Sequence, residues 1–97
     1  MSSRSCGRQT EFSVNGAVER YRSGEREALA DLMHELSRPM AGVARRYLSN
    51  QADVEDAVQD AWVSFVRFES TIVHPERLPG WLCVTVGRIA LLSLIHI

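Results

Sequence analysis

Lysine is absent from this 97-residue chain, whose eleven cationic side chains all belong to arginine. Because arginine codons are rich in G and C, this bias indicates a gene from a GC-rich genome. Acidic residues balance the arginines, so the net charge is −1 and the pI is about 6.3. A domain that binds nucleic acid by itself is usually strongly basic. The composition therefore argues against an autonomous DNA-binding protein, although it allows DNA binding within a larger complex.

Cysteine is also scarce. Cys6 and Cys83 lie far apart and match no metal-ligand spacing, so no metal site is expected. Cys83 is expected to be a small core residue, and a reduced cytoplasmic setting is the simplest explanation of two lone cysteines. The first ten residues lack the apolar region of a signal peptide, and no apolar run reaches transmembrane length. These absences predict a cytoplasmic protein with no membrane partner.

Recognisable catalytic motifs are missing as well. The histidines are scattered, and none has a second ligand four residues away, as a zinc-protease helix would require. No glycine-rich phosphate loop occurs, and no serine stands in the context of a nucleophile elbow. We therefore expect no catalytic residues, no cofactor and no enzymatic activity.

Helical periodicity is what the sequence does contain. Residues 1–10 are polar and are predicted to form a disordered tail, and residues 11–22 predict a short helix. Ser23 is the predicted N-cap of the next helix, in which an apolar stripe recurs at helical spacing from Leu29 to Leu48. Strand signals are weak throughout. The pattern predicts an all-α domain, a small bundle of three or four helices.

Prolines and turn residues divide this helical pattern. Pro39 interrupts the apolar stripe without changing its phase, which favours one kinked helix over two separate helices. Residues 49–51 indicate a turn, and Asp53 is the predicted N-cap of the helix that follows. Residues 69–80 have no clear period and contain prolines and a glycine. A loop is expected there, followed by a helix that begins near Trp81.

Residues 53–67 form the most informative segment. Its apolar residues fall on one stripe that is expected to face the core: Val54, Ala57, Val58, Ala61, Trp62 and Phe65. The opposite face carries Asp56, Gln59, Asp60 and Arg67 around Val63, an unusual setting for an apolar side chain. Carboxylates one turn apart project to the same side and suit arginines on a partner helix. Docking on a basic partner is predicted, and an ordinary solvated acidic face is the alternative.

These residues resemble region 2.2 of bacterial RNA polymerase sigma factors of the sigma-70 family, especially the extracytoplasmic-function (ECF) type. In that family an Asp-x-x-Gln-Glu/Asp signature, seen here as Asp56, Gln59 and Asp60, binds the clamp helices of the largest polymerase subunit. Residues 78–82 resemble the tryptophan-led helix that follows, and residues 24–32 resemble the first region of these factors.

The resemblance spans residues 17–91 and implies a factor that binds core RNA polymerase and helps to recognise and melt the promoter minus-ten element. Promoter DNA within the holoenzyme would be its second partner, and an anti-sigma factor is a further implied partner. Capture of single-stranded bases requires stacking surfaces and cations. The available DNA-binding candidates are Phe68, Arg77, Trp81 and Arg88. Packing in the core is the alternative for both aromatic rings.

The C-terminal part departs from the family pattern. Gly87-Arg88 stands where many ECF factors have Arg-Asn, and the usual Asp with following basic residues is missing. Residues 92–97 match the translation of a transposase end sequence used in sequencing-library adaptors, which predicts that the natural sequence ends near Leu91 and that the domain covers residues 11–91. The alternative function is a helical adaptor that uses the acidic face for another basic partner. A conventional DNA-binding regulator is disfavoured by the pI.

Overall fold

The computed structural model describes residues 12–95, which form four α-helices and two 3₁₀ turns. In chain order these are α1 (Val14–Arg22), α2 (Glu27–Ala44), α3 (Gln51–Phe68), the 3₁₀ turns Glu69–Thr71 and Pro75–Arg77, and α4 (Leu78–Ile95). No strand occurs within residues 12–95, so the predicted all-α bundle is confirmed. The predicted tail at residues 1–10, with Cys6, lies outside the described residues, as do the last two residues of the chain.

One hydrophobic core holds the four helices together. Phe65 of α3 is fully buried, and its ring centroid lies 5.7 Å from that of Tyr21 and 5.8 Å from that of Trp62. Buried residues four apart form one side of α2 and one side of α4: Leu32, Leu36, Met40 and Ala44, and Leu78, Leu82, Val86 and Ala90. Complete burial of a leucine or valine stabilises the fold by about 1.5–3 kcal/mol. This packing fixes which faces of the helices remain exposed.

The second helix is continuous through its proline. Pro39 lies inside α2, which confirms the prediction of one helix over two. The helix ends at Ala44, earlier than the apolar stripe suggested, and a turn follows in which the amide of Tyr47 donates to the carbonyl of Ala44. Within this turn Tyr47 is exposed while Leu48 is buried. Leu48, the last residue of the predicted apolar stripe, therefore reaches the core although it lies beyond the end of the helix.

Two predicted helix caps are wrong, for local reasons. Ser23 is the C-cap of α1, and its hydroxyl donates to the carbonyl of Arg20 at 2.8 Å. Gly24, with φ +104°, then turns the chain, and α2 starts without a side-chain cap. Asp53 lies in the first turn of α3, because the Asn50 side chain already accepts the amide of Ala52 at 2.8 Å.

The predicted loop at residues 69–80 is shorter and more regular than expected. It contains the two 3₁₀ turns, and α4 begins at Leu78, three residues before Trp81. Pro79 fits the first turn of α4, where a missing amide hydrogen has little cost. Cys83, predicted to be a core residue, is only half-buried.

The last helix is long and apolar. By length and composition alone, Pro75–Ile95 could cross a membrane, with a mean hydropathy of 1.7, which differs from the expectation that no run was long enough. The core helix of a soluble protein has the same length and composition, but only 22% of this apolar window is buried, on the side of α4 that packs against α2 and α3. Its residues beyond Ala90 are exposed through Ile95. That residues 92–97 are non-native stays a prediction.

Candidate functional site

The outer face of α3 presents the four residues singled out by the sequence. Asp56, Gln59, Asp60 and Val63, here called the acidic stripe, are all exposed, and Val63 is 54% accessible. The opposite side of the helix is buried as predicted, except that Val58 is half-buried. Because these positions recur at three- and four-residue spacing, the stripe forms one continuous surface along two turns of the helix.

Contacts beneath the acidic stripe fix its orientation. The indole nitrogen of Trp62 donates to the hydroxyl of Ser37 on α2 at 3.0 Å, and the Trp62 ring packs edge-on against Phe65. The Asn50 cap fixes the start of the helix. A buried ring with a satisfied polar group allows little rotation of α3 about its axis. The stripe is therefore presented on a rigid support.

The carboxylates of the stripe have no ion-pair partner within the described part of the chain. Asp56 and Asp60 form neither an ion pair nor a side-chain hydrogen bond with residues 12–95, in contrast to Asp31, which binds Arg20 at 3.1 Å. Asp53 joins them along a shallow groove between α3 and α4 that is also lined by Ile89. The sequence assigned Asp53 to capping and so missed its place beside the stripe. This surface can accept hydrogen bonds from cations of a partner.

A second groove lies on the other side of the stripe, between α2 and α3. It has a volume of about 260 Å³, and Gln59 forms part of its rim. Its floor contains apolar side chains of both helices, among them Met33, Val58 and Trp62. Gln59 therefore belongs both to the acidic stripe and to the edge of an apolar groove.

Phe68 and Arg77 lie at the two ends of the connection between α3 and α4. Phe68 is 49% exposed, so the alternative of a core position is wrong for this ring. The guanidinium of Arg67 lies 5.8 Å from its ring centroid, within range of a weak cation–π contact. Arg77 ends the second 3₁₀ turn and is exposed. An aromatic face and a cation thus flank one short connection.

Trp81 and Arg88 lie on one side of α4. They are seven residues apart, which is two helical turns or about 10 Å along the axis. Arg88 is exposed, whereas Trp81 is half-buried and packs against the core. The Trp81 ring has correspondingly less free surface for stacking than Phe68. Exposed Val84 lies between the two on the same side.

One contact of the α3–α4 connection was not apparent from the sequence. Arg22, at the end of α1, donates from Nε to the Glu69 carboxylate at 2.9 Å. Its Nη2 donates to the backbone carbonyls of Glu69 at 2.6 Å and Ile72 at 2.8 Å. The partners are 47 and 50 residues away in sequence, and no periodic pattern links an arginine to distant backbone oxygens.

Residues 12–95 form a small helical bundle with exposed surfaces, and no cluster of potential metal ligands occurs among them. Comparison with known protein families identifies the family of this domain. The family model of sigma-70 region 2 matches residues 32–92, more than half of the chain. The chain belongs to the sigma-70 family through this region, a non-enzymatic domain of transcription initiation factors. No curated protein and no solved structure shows a significant match.

The match contains the acidic stripe, the α3–α4 connection and the proposed DNA-contacting residues of α4. It begins at Leu32, so the upstream resemblance at residues 24–32 lies outside it except for its last residue, and the whole of α1 lies outside it. A sigma factor role implies core RNA polymerase and promoter DNA as partners.

Proposed function

We propose that the acidic stripe binds core RNA polymerase through the clamp helices of its largest subunit. The observation that supports this most directly is the exposure of Asp56, Gln59, Asp60 and Val63 on one face of α3, within the region matched by the family. Asp56, Gln59 and Asp60 match the Asp-x-x-Gln-Glu/Asp signature through which this chain resembles ECF sigma factors. The proposed type is therefore ECF, and the setting is the cytoplasm.

The chemistry of the stripe suits a basic helix. Two carboxylates one turn apart can each accept a bidentate pair of hydrogen bonds from an arginine, because the guanidinium fork matches the carboxylate geometry. Gln59 adds an amide that can donate and accept, and Val63 adds an apolar contact at the end of the stripe. Since neither carboxylate is paired with another described residue, binding breaks no ion pair described in the free domain.

We further propose that the α3–α4 connection and the exposed side of α4 contact the promoter minus-ten element and help to melt it. Phe68 supplies an exposed ring on which a non-template base can stack, and Arg77 supplies a cation near the phosphates. Arg88 and the exposed part of Trp81 extend this surface along α4. With a net charge of −1, the chain binds DNA only after it has joined the polymerase, whose own surface supplies the remaining cations.

Co-purification with core polymerase is the first test of this function. We expect the chain to bind both the intact core enzyme and the isolated clamp helices. Capture of other basic proteins, with no affinity for either polymerase probe, would support the helical adaptor instead. An anti-sigma factor that covers the same stripe would compete with the clamp helices, so competition distinguishes it from an independent partner.

Photo-crosslinking tests the DNA contacts separately. A photoreactive amino acid is placed in turn at positions 68, 77, 81 and 88 within a reconstituted holoenzyme that carries a randomised non-template strand. Crosslinks are expected from positions 68 and 77 above all, with position 63, on the proposed polymerase-binding surface, as the control. The promoter assignment fails if none of the four positions crosslinks while the holoenzyme itself assembles.

A further inference from the structure

Arg22 joins the first helix to the connection that follows α3. Its guanidinium binds the Glu69 carboxylate and two backbone carbonyls, of Glu69 and Ile72, in an arrangement here called the Arg22 clasp. The side chains are partly sheltered, with 34% of Arg22 and 19% of Glu69 exposed. Hydrogen bonds from a charged donor are stronger than neutral ones, and shelter from water reduces their screening.

The clasp is the long-range polar anchor of this connection, and it acts beside the half-buried side chain of Ile72, which packs against the core. None of the residues of either 3₁₀ turn is buried. The other hydrogen bonds of this connection are local, such as those from the Ile72 amide to the Glu69 carbonyl at 3.0 Å and from the Thr71 hydroxyl to the Phe68 carbonyl at 2.7 Å. Segments with few buried contacts open at low free energy. The clasp therefore contributes to where the segment lies, because it holds two of the segment's backbone carbonyls.

We propose that Arg22 is a positioning residue for promoter binding: by holding the carbonyls of Glu69 and Ile72, it sets the path of the connection that presents Phe68 and Arg77 to DNA. This inference rests on the proposed promoter contact of that connection. It adds a role for α1, which lies outside the residues matched by the sigma-70 region 2 family. Arg22 does not itself contact DNA; it acts through the backbone of the loop.

A positioning role differs from a general stabilising role in what a substitution changes. Partly exposed ion pairs contribute little to global stability, so Arg22→Ala leaves the bundle folded and the acidic stripe in place. The loss is confined to the connection, whose amides exchange more readily once the anchor is gone. Affinity for core polymerase then stays the same while the contact with DNA weakens. A purely structural defect would lower both together.

The test uses Arg22→Ala, with Arg26→Ala as its control. Arg26 is exposed near Arg22, and its side chain forms no hydrogen bond or ion pair with the described residues. The first readout is hydrogen–deuterium exchange of the amides of residues 69–77, the second is affinity for core polymerase. The third is the yield of crosslinks to a randomised non-template strand in the holoenzyme, from a photoreactive amino acid at exposed Ser70.

For Arg22→Ala we expect loop exchange to rise and crosslink yield to fall, each by roughly three- to tenfold, since one charge-assisted anchor is lost. Core affinity should not change, and Arg26→Ala should change none of the three readouts. Glu69→Gln keeps both hydrogen bonds from Arg22 to the backbone carbonyls but loses the ion pair. Its loop exchange and its crosslink yield should lie between those of the wild type and those of Arg22→Ala. This milder variant keeps the test decisive should Arg22→Ala fail to fold.

Unchanged loop exchange, or faster exchange with an unchanged crosslink yield, would overturn the positioning role. Core affinity that falls in parallel with the crosslinks would overturn it too, because the defect would then be global. If the wild-type chain gives no crosslinks from positions 68, 70 and 77 in an assembled holoenzyme, the proposed promoter contact of the connection has failed, and the positioning role fails with it. Crosslinks that are present in wild type and equal in Arg22→Ala sink the positioning role alone.

Discussion

Reversing the charge of Asp60 should abolish binding to core polymerase while the domain stays folded. Asp60 is exposed and pairs with no other described residue, so its replacement breaks no described ion pair. Arginine also has a higher helix propensity than aspartate, and at this position it lies one turn after Asp56, where the two form a favourable pair. The expected change in the free energy of unfolding is therefore within about 0.5 kcal/mol of zero.

The effect on binding is much larger. Loss of one partner of a desolvated interfacial ion pair costs about 2 kcal/mol or more, so Asp60→Asn should weaken binding to the clamp helices about thirtyfold. Asp60→Arg adds repulsion from the same basic surface, for a total of about 4 kcal/mol, or about a thousandfold. Titration calorimetry with the isolated clamp helices measures both variants, and the wild-type affinity should decrease as salt is added.

Glu35→Arg is the matched control for this charge reversal. Glu35 is an exposed carboxylate on α2, it pairs with no described residue, and its reversal changes the net charge by the same amount. We expect near wild-type affinity for this variant at physiological salt. Equal weakening by both reversals would mean that net charge alone governs binding. Unchanged binding of Asp60→Arg would refute the assignment of the acidic stripe.

Further predictions concern the fold, and urea unfolding measures all of them. Phe65→Ala should lower the free energy of unfolding by about 3–5 kcal/mol, because a fully buried ring leaves a cavity between α1 and α3. Gly42→Ala should raise it by about 0.5–1 kcal/mol, since nothing lies within 4 Å of the added methyl group in the interior of α2. At Gly24 an added methyl group also meets nothing within 4 Å, but φ is +104°, so Gly24→Ala should lower the free energy of unfolding by about 1–2 kcal/mol. A more stable Gly24→Ala variant would contradict the left-handed backbone conformation at this turn. Asn50→Ala should cost about 1 kcal/mol through loss of the cap.

Periodicity predicted the helices better than their ends. The apolar spacing in α2 and α3 reflects which residues face the core. The structure has one helix through Pro39 and the predicted buried side on α3, so both predictions are confirmed. Helix ends depend on single hydrogen bonds between neighbours, for which several residues compete. Asn50 and Asp53 are both residues that favour the N-cap position. The extended backbone at Asn50 makes Asn50 the cap of α3 and leaves Asp53 inside the helix. Gly24 likewise made Ser23 the end of one helix instead of the start of the next.

The candidate site divides in the same way. The acidic stripe follows from one helix and its spacing, so exposure of Asp56, Gln59, Asp60 and Val63 could be predicted from residues 53–67 alone. The Arg22 clasp could not, because it joins a side chain to backbone carbonyls 47 and 50 residues away. Sequence identifies side chains but not which carbonyls a turn exposes.

The two tryptophans of the chain lie in different optical environments. Trp62 is buried on the inner side of α3, and its indole is hydrogen-bonded to Ser37, whereas Trp81 is half-exposed at the start of α4, next to the α3–α4 connection. Indole emission depends on the polarity around the ring. Trp81→Phe would leave a fluorophore beneath the acidic stripe, and Trp62→Phe one beside the connection. The fluorescence of Trp62 and that of Trp81 can therefore report the binding rates of the polymerase and of DNA separately, without an attached dye.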